Sequence, residues 1–232
     1  MTVKMVDSFS SAAGVAKKLK EAGYVASAGY IGKHTVGLGN GVTPADIVKI
    51  HDAGLHFLPI WELDPVQVSY FTVKQGISDG KNATKEARWL KLPKGTAIYF
   101  TVDFDAQEAD FPAIIAYLEQ VRKNLHRDYR MGVYGGIRTL EAIVASPVRP
   151  DYWWQTLAWS AGQKFARADI YQAEVSQIID GLGVDIDEVY ANPGWYAAPE
   201  KKAIVSHPSG HDQEIAKVET QLAEVKTEVE KL

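Results

Sequence analysis

Residues 96–105 read TAIYFTVDFD. Six of the first seven residues are aromatic, aliphatic or β-branched, the composition of a buried strand. The run ends in two carboxylates, Asp103 and Asp105. Side chains alternate along a strand, so these two acids are expected on the same side as Tyr99 and Thr101. Phe100, Val102 and Phe104 would take the other side. The same punctuation recurs along the chain. Asp7 closes an apolar run that starts at Val3, Glu62 closes FLPIW (57–61), and Asp185 and Asp187 sit in GVDID (183–187). Strands that each end in an acid, laid round one sheet, would gather six carboxylates on one rim. Crowded carboxylates repel one another and some hold their protons more tightly, as acid/base chemistry on sugars requires.

Between these runs lie helical segments. Residues 11–22 stop at Gly23, and Thr43-Pro44 supplies an N-cap and a first-turn proline for a helix that stops at Gly54. Further helices are predicted over 81–91, 111–125 and 137–145. Strands are predicted at MVDSF (5–9), YVASAGYIG (24–32), HFLPIWE (56–62), TAIYFTVDFD, RMGVYGG (130–136), YWWQTLAWS (152–160), DIYQA (169–173) and GVDIDEVY (183–190). Eight strands, the first five followed by helices, indicate an α/β fold with a parallel sheet closed into a TIM-like (β/α)₈ barrel over residues 1–196. An open doubly wound sheet would want a glycine fingerprint after the first strand. GLGNG (37–41) follows the second instead and reads as an ordinary turn. Residues 197–212 read as a linker. In 213–232, Ile215, Val218, Leu222, Val225, Val229 and Leu232 form an a/d seam, suited to a coiled coil joining copies of the chain or to a helix packed on the barrel.

Composition narrows the function. With 232 residues and 46% apolar content, one large core is affordable. A net charge of −4 gives no general attraction to nucleic acid or anionic lipid. The absence of cysteine excludes disulfides, thiolate metal sites and a cysteine nucleophile. The six histidines (34, 51, 56, 126, 207, 211) lack ligand-like spacing, so neither a metal nor a cofactor is expected. No apolar stretch reaches transmembrane length, and MTVKMVDSFS lacks an apolar signal core. Near the acids, Tyr30, Trp61, Tyr134, Trp159 and Tyr171 could stack on sugar faces, and Gln155, Gln172 and Asp187 could bond hydroxyl or acetamido groups. Trp153 and Trp89 are assigned to the core. For any single acid, Asp105 or Asp187 for example, helix capping is the plain alternative.

The ordered series VDSF, AGYIG, FLPIWE, IYFTVDFD, MGVYGG, WQTLAWS, IYQA and VDID resembles the glycoside-hydrolase-like family known as domain of unknown function 1906. That family is related to the family 25 lysozymes, which cleave the β-1,4 bond after N-acetylmuramic acid. The resemblance covers residues 1–196. It implies a peptidoglycan-degrading hydrolase of the endolysin kind, made in a host cytoplasm without a signal peptide. Such a protein acts on the wall after holin-type release or in the extracellular space. The lysozymes carry Asp-x-Glu after the fourth strand, with the Glu as general acid. The matching positions are Asp103 and Asp105, with Asp7 and Asp185 matching the first- and eighth-strand acids. Here the second acid is shorter by one methylene, a shortfall of roughly 1 Å that can cost on the order of 100-fold. The expected acid is therefore Asp105 or Glu62. Rival readings are a non-catalytic glycan-binding barrel and a metal-dependent deacetylase on the same rim.

Overall fold

The structure, a computed structural model, describes residues 2–199. The chain runs β1 (Val3–Ser8), α1 (Ala16–Glu21), β2 (Ala26–Tyr30), α2 (Pro44–Asp52), β3 (His56–Trp61), α3 (Val73–Trp89), β4 (Ala97–Thr101), α4 (Phe111–Asn124), β5 (Arg130–Gly135), α5 (Ile137–Val144), β6 (Tyr152–Gln155), β7 (Ile170–Ile179) and β8 (Leu182–Val189). Single 3₁₀ turns precede α1 and α3. The eight strands close into a barrel in sequence order. This is the α/β, TIM-like barrel the alternation implied. The linker and the a/d helix assigned to 197–232 fall almost wholly outside the described residues.

Two layers of core hold the barrel. Inside it, Met5, Ala28, Leu58, Tyr99, Trp154 and Ile170 pack against one another. Between the sheet and the helices, Val6, Phe57, Trp61, Phe100, Val102 and Met131 pack against Ile47, Ala83, Leu118 and Leu140. The alternation Tyr99 in, Phe100 out is the parity read from the sequence. The chain after β8 closes the floor: Tyr196 exchanges two backbone hydrogen bonds with Phe57, and the Tyr99 hydroxyl donates to the Pro193 carbonyl at 3.0 Å. Thr43 caps α2 as expected, with Asp46 returning a bond to the Thr43 amide in a capping box.

Three expectations are corrected. The sheet is not wholly parallel, because β8 runs antiparallel to both β7 and β1. Its connection to β7 is the two-residue turn Asp180-Gly181, both with positive φ (51° and 83°). A turn that tight can join only antiparallel strands. The third helix begins at Val73 rather than 81, running through Gly76 and Gly80. These glycines sit where a Cβ would lie 2.4 Å from the Tyr117 carbonyl oxygen and 2.9 Å from that of Val121. They serve close approach of α3 to α4, not helix termination. Lastly, β4 stops at Thr101, four residues short of Asp105.

Candidate active site

The C-terminal ends of the strands surround a cleft of about 130 Å³ lined by Asp7, Tyr30, Ile60, Glu62, Thr101, Asp103, Tyr134, Trp154, Gln172 and Asp185. Every strand contributes, β8 from its first half because it runs antiparallel, so the barrel gathers residues from Asp7 to Asp185 into one concave surface. Asp7 and Asp185 are direct partners across the β1–β8 ladder. Gln172 lies between them: its amide nitrogen donates to Asp7 Oδ2 and to Asp185 Oδ2, each at 3.1 Å. Its carbonyl oxygen accepts from the Tyr134 hydroxyl at 3.2 Å and the Thr156 hydroxyl at 2.9 Å. All four hydrogen-bonding positions of the amide are thereby used, which fixes its orientation. The second oxygen of Asp185 accepts from the Ser176 backbone amide at 2.7 Å.

Glu62 stands on the opposite side of the mouth. Burial, then repulsion from Asp103, raises its pKa from 4.5 to about 7, against the pull of the Thr101 and Tyr30 hydroxyls beside it. Asp7 is likewise raised to about 7, by burial and then by Asp185, with Gln172 and Asp187 favouring its charged form. Asp103 is raised by burial and by Asp185. Beneath them Asp187 is fully buried. Its Oδ1 accepts from the Trp154 indole at 2.9 Å, and its Oδ2 is buried without a hydrogen-bond partner. Burial, then repulsion from Asp7, holds Asp187 well above the usual carboxylate range. The cleft thus holds Asp7 and Glu62, both pushed to about 7, beside Asp103, carboxyl groups able to give or take a proton near neutral pH.

Several residues expected at the site lie elsewhere. Asp105 is exposed and outside the cleft. Past Thr101 the chain leaves the strand: the Asp103 amide bonds the Pro65 carbonyl and the Ala106 amide bonds that of Phe104. The two-residue alternation therefore ends before it can carry Asp105 inward. Trp61 points from β3 into the helix-facing core, on the opposite side from Glu62. Tyr171 is opposed in the same way to Gln172. Gln155 is buried and holds the loop after β6: it accepts from the Phe165 amide at 2.6 Å and donates to the Ser160 hydroxyl and the Gln163 carbonyl. Trp159, 40% exposed with φ of 55°, stands beside Gly136 rather than in the cleft. Asp187 is too deep to meet a ligand. The cleft brings together Asp7, Glu62, Asp103, Asp185, Tyr30, Tyr134 and Gln172. The sequence reading missed Thr101 and Trp154. Trp153 packs on the helix-facing side of the sheet, so alternation turns Trp154 inward. Among the described residues, no group of three or more histidines or acids is arranged to hold a metal ion.

Residues 17–191 match the family model for the Rv2525c-like, glycoside hydrolase-like domain. The chain belongs to this family. Curated relatives include two uncharacterized proteins of Bacillus subtilis (strain 168). YbfG is 37% identical over 110 residues, covering 42% of this chain and 15% of the relative. FadG is 30% identical over 125 residues, covering 51% and 22%. The chain thus spans less than a quarter of the length of these relatives. Among solved structures, the Tat-secreted protein Rv2525c of Mycobacterium tuberculosis, in complex with L-tartrate, superposes with a TM-score of 0.70. It shares 18% identity, over 84% of this chain and 99% of that one. The CTP1L endolysin (TM-score 0.55, 14% identity, 82% and 66% covered) shares the fold. So does the family 25 glycosyl hydrolase GHIP of Streptococcus pneumoniae (0.52, 11%, 81% and 87%). The barrel is therefore glycoside hydrolase-like.

Proposed function

We propose that this protein hydrolyses glycosidic bonds of bacterial cell-wall glycan, with Glu62 as the general acid. The observation that carries this is the placement of Glu62 and Asp103 in one cleft, where burial and Asp103 raise the Glu62 pKa to about 7. Glu62 gives its proton to the leaving glycosidic oxygen as the bond to the anomeric carbon breaks. Asp103, in its charged form, stabilises the oxocarbenium-like sugar. Water then adds at that carbon, and the Glu62 carboxylate takes back the water's proton. Asp7 and Asp185, tied to each other through Gln172, orient the sugar, and Tyr30 and Tyr134 offer it rings and hydroxyls.

The substrate class draws support from the family and from the fold shared with wall-active proteins. One is the autolysin LytC of Streptococcus pneumoniae, solved with a synthetic peptidoglycan ligand. Action at the wall, as an endolysin or after export, fits the same neighbours, one of them Tat-secreted. The test is digestion of purified peptidoglycan with mass spectrometry of the soluble products, for wild type, Glu62→Gln and Asp105→Asn. New reducing ends are expected from wild type and Asp105→Asn, with or without chelator, and none from Glu62→Gln. Wild-type protein that sediments with the wall and releases no ends would instead mark a binding barrel. Activity in Glu62→Gln would remove Glu62 from the chemistry.

A further inference from the structure

Beside the acidic cleft, and sharing Asp7, Tyr30 and Asp185 with it, runs a groove of about 390 Å³ between the end of β1 and the β7–β8 hairpin. The acidic cleft by itself is smaller than the ~300–1,000 Å³ of ordinary ligand sites, whereas the groove falls within that range. Its two walls each carry a large apolar side chain held out in solvent: Phe9 and Ile178 are both 72% exposed. Phe9 is not loose. Its ring meets the Tyr30 ring edge-on at 6.1 Å and 62°, and its carbonyl accepts from the Asn40 side chain at 2.7 Å.

The hairpin wall is also prearranged. Two register shifts bend β7 between Gln172 and Gln177, and Ser176 adopts a positive φ of 57°. That bend delivers the Ser176 amide to Asp185, and Lys18 of α1 pairs with Asp180 at the hairpin tip. A non-glycine residue in the left-handed region costs of order 1–3 kcal/mol, and the Ser176–Asp185 bond offsets part of it while tying the groove wall to the acidic cleft. No cationic side chain lines the groove, and two carboxylates do. Anionic ligands are repelled. A neutral ring with one apolar face and an apolar substituent fits.

Resting on the hydrolase reading, we propose that this groove is a sugar subsite for an N-acetylhexosamine unit adjacent to the bond at Glu62. The pyranose face lies on Phe9, the acetamido methyl on Ile178, and the amide and hydroxyls meet Gln177 and Ser176. The probe is tetra-N-acetylchitotetraose titrated calorimetrically into the full chain carrying Glu62→Gln, so that binding is read without cleavage. Adding Phe9→Ala or Ile178→Ser is expected to raise Kd about tenfold, the factor that ~1.4 kcal/mol represents. Both side chains are largely exposed, so the fold tolerates the changes. An unchanged Kd in both, or no binding of the tetrasaccharide at all, overturns the subsite. Peptidoglycan digestion by wild type separates the two claims. Normal digestion with unchanged Kd leaves the hydrolase and removes the subsite. No digestion with a tenfold loss in Phe9→Ala keeps the subsite and removes the hydrolase.

Discussion

Replacing Glu62 by Gln is expected to make the protein more stable as well as inactive, and only at the upper end of the pH range. Folding raises the Glu62 pKa from 4.5 to about 7. Between those values the folded state binds more protons than the unfolded one, so stability falls as pH rises. Below about 4.5 both states are protonated and the side chain contributes nothing. Above about 7 both are ionised, and the folded state bears the whole cost of a charge held among other carboxylates. That difference corresponds to roughly 3 kcal/mol. Gln keeps the shape and loses the charge. In urea melts followed by tryptophan fluorescence, Glu62→Gln should match wild type at pH 4.5 and exceed it by about 3 kcal/mol at pH 8.5, with an unchanged m-value. For a domain of this size that is about 6–12 °C in melting temperature. Equal stability at pH 8.5, or a gain of the same size at both pH values, would refute the claim that Glu62 is held in a strained ionisation state.

The same protonation should appear in kinetics: kcat/KM on cell-wall glycan is expected to fall about tenfold per pH unit above about 7, as Glu62 loses its proton. Its acidic limb should lie above the usual aspartate range, set by Asp103; a flat profile from pH 5 to 9 would contradict both assignments. Gly132→Ala should destabilise by about 2–3 kcal/mol in urea melts. Its Cβ would lie 2.6–2.7 Å from the Tyr99 ring, which cannot retreat from Trp154 and Pro193. Gln155→Ala leaves the Phe165 amide and the Gln163 carbonyl without their partner and should cost about 2–3 kcal/mol. KM should stay unchanged, because Gln155 supports the loop rather than the ligand.

Where the chain is regular, the sequence was a sufficient guide. TAIYF alternates as read, with Tyr99 inside the barrel and Phe100 outside it, and Thr43-Pro44 starts α2 where capping chemistry requires. Misreadings cluster where regularity ends. Asp105 was placed by extending a period of two beyond the last ladder bond at Thr101, into a turn held by backbone contacts that no side-chain pattern announces. Trp61 and Tyr171 were placed by nearness to strand ends, although parity with Glu62 and Gln172 already turned them away. Asp180-Gly181, between two strand-like runs, is a strong hairpin signal and would have revealed the antiparallel closure. The helix predicted over 81–91 leaves out Gly76 and Gly80, whose place in α3 depends on α4, which is remote in sequence. Gln155 and Gln172 have the same chemistry, but parity parts them: Gln155 follows the inward-facing Trp154 and turns out to brace a loop, whereas Gln172 faces in and spans two acids.

That antiparallel closure bears directly on the site. A tight hairpin brings β8 back beside β1, so that Asp185 falls directly opposite Asp7. Like charges in facing positions of a sheet are destabilising, and here both line the cleft with Asp187 buried beneath them. Stability alone would favour a neutral residue at any of the three. The fold keeps all of them and supports them with hydrogen bonds: Gln172 donates to both facing acids, Ser176 bends out of ordinary backbone geometry to donate to Asp185, and the Trp154 indole donates to Asp187, whose pKa burial raises. Nothing comparable attends Asp105, which solvent already accommodates. Supporting bonds built around destabilising charges are what a site needs when those charges act on a ligand. They concentrate on Asp7, Asp185 and Asp187 on one wall, facing Glu62 and Asp103 on the other.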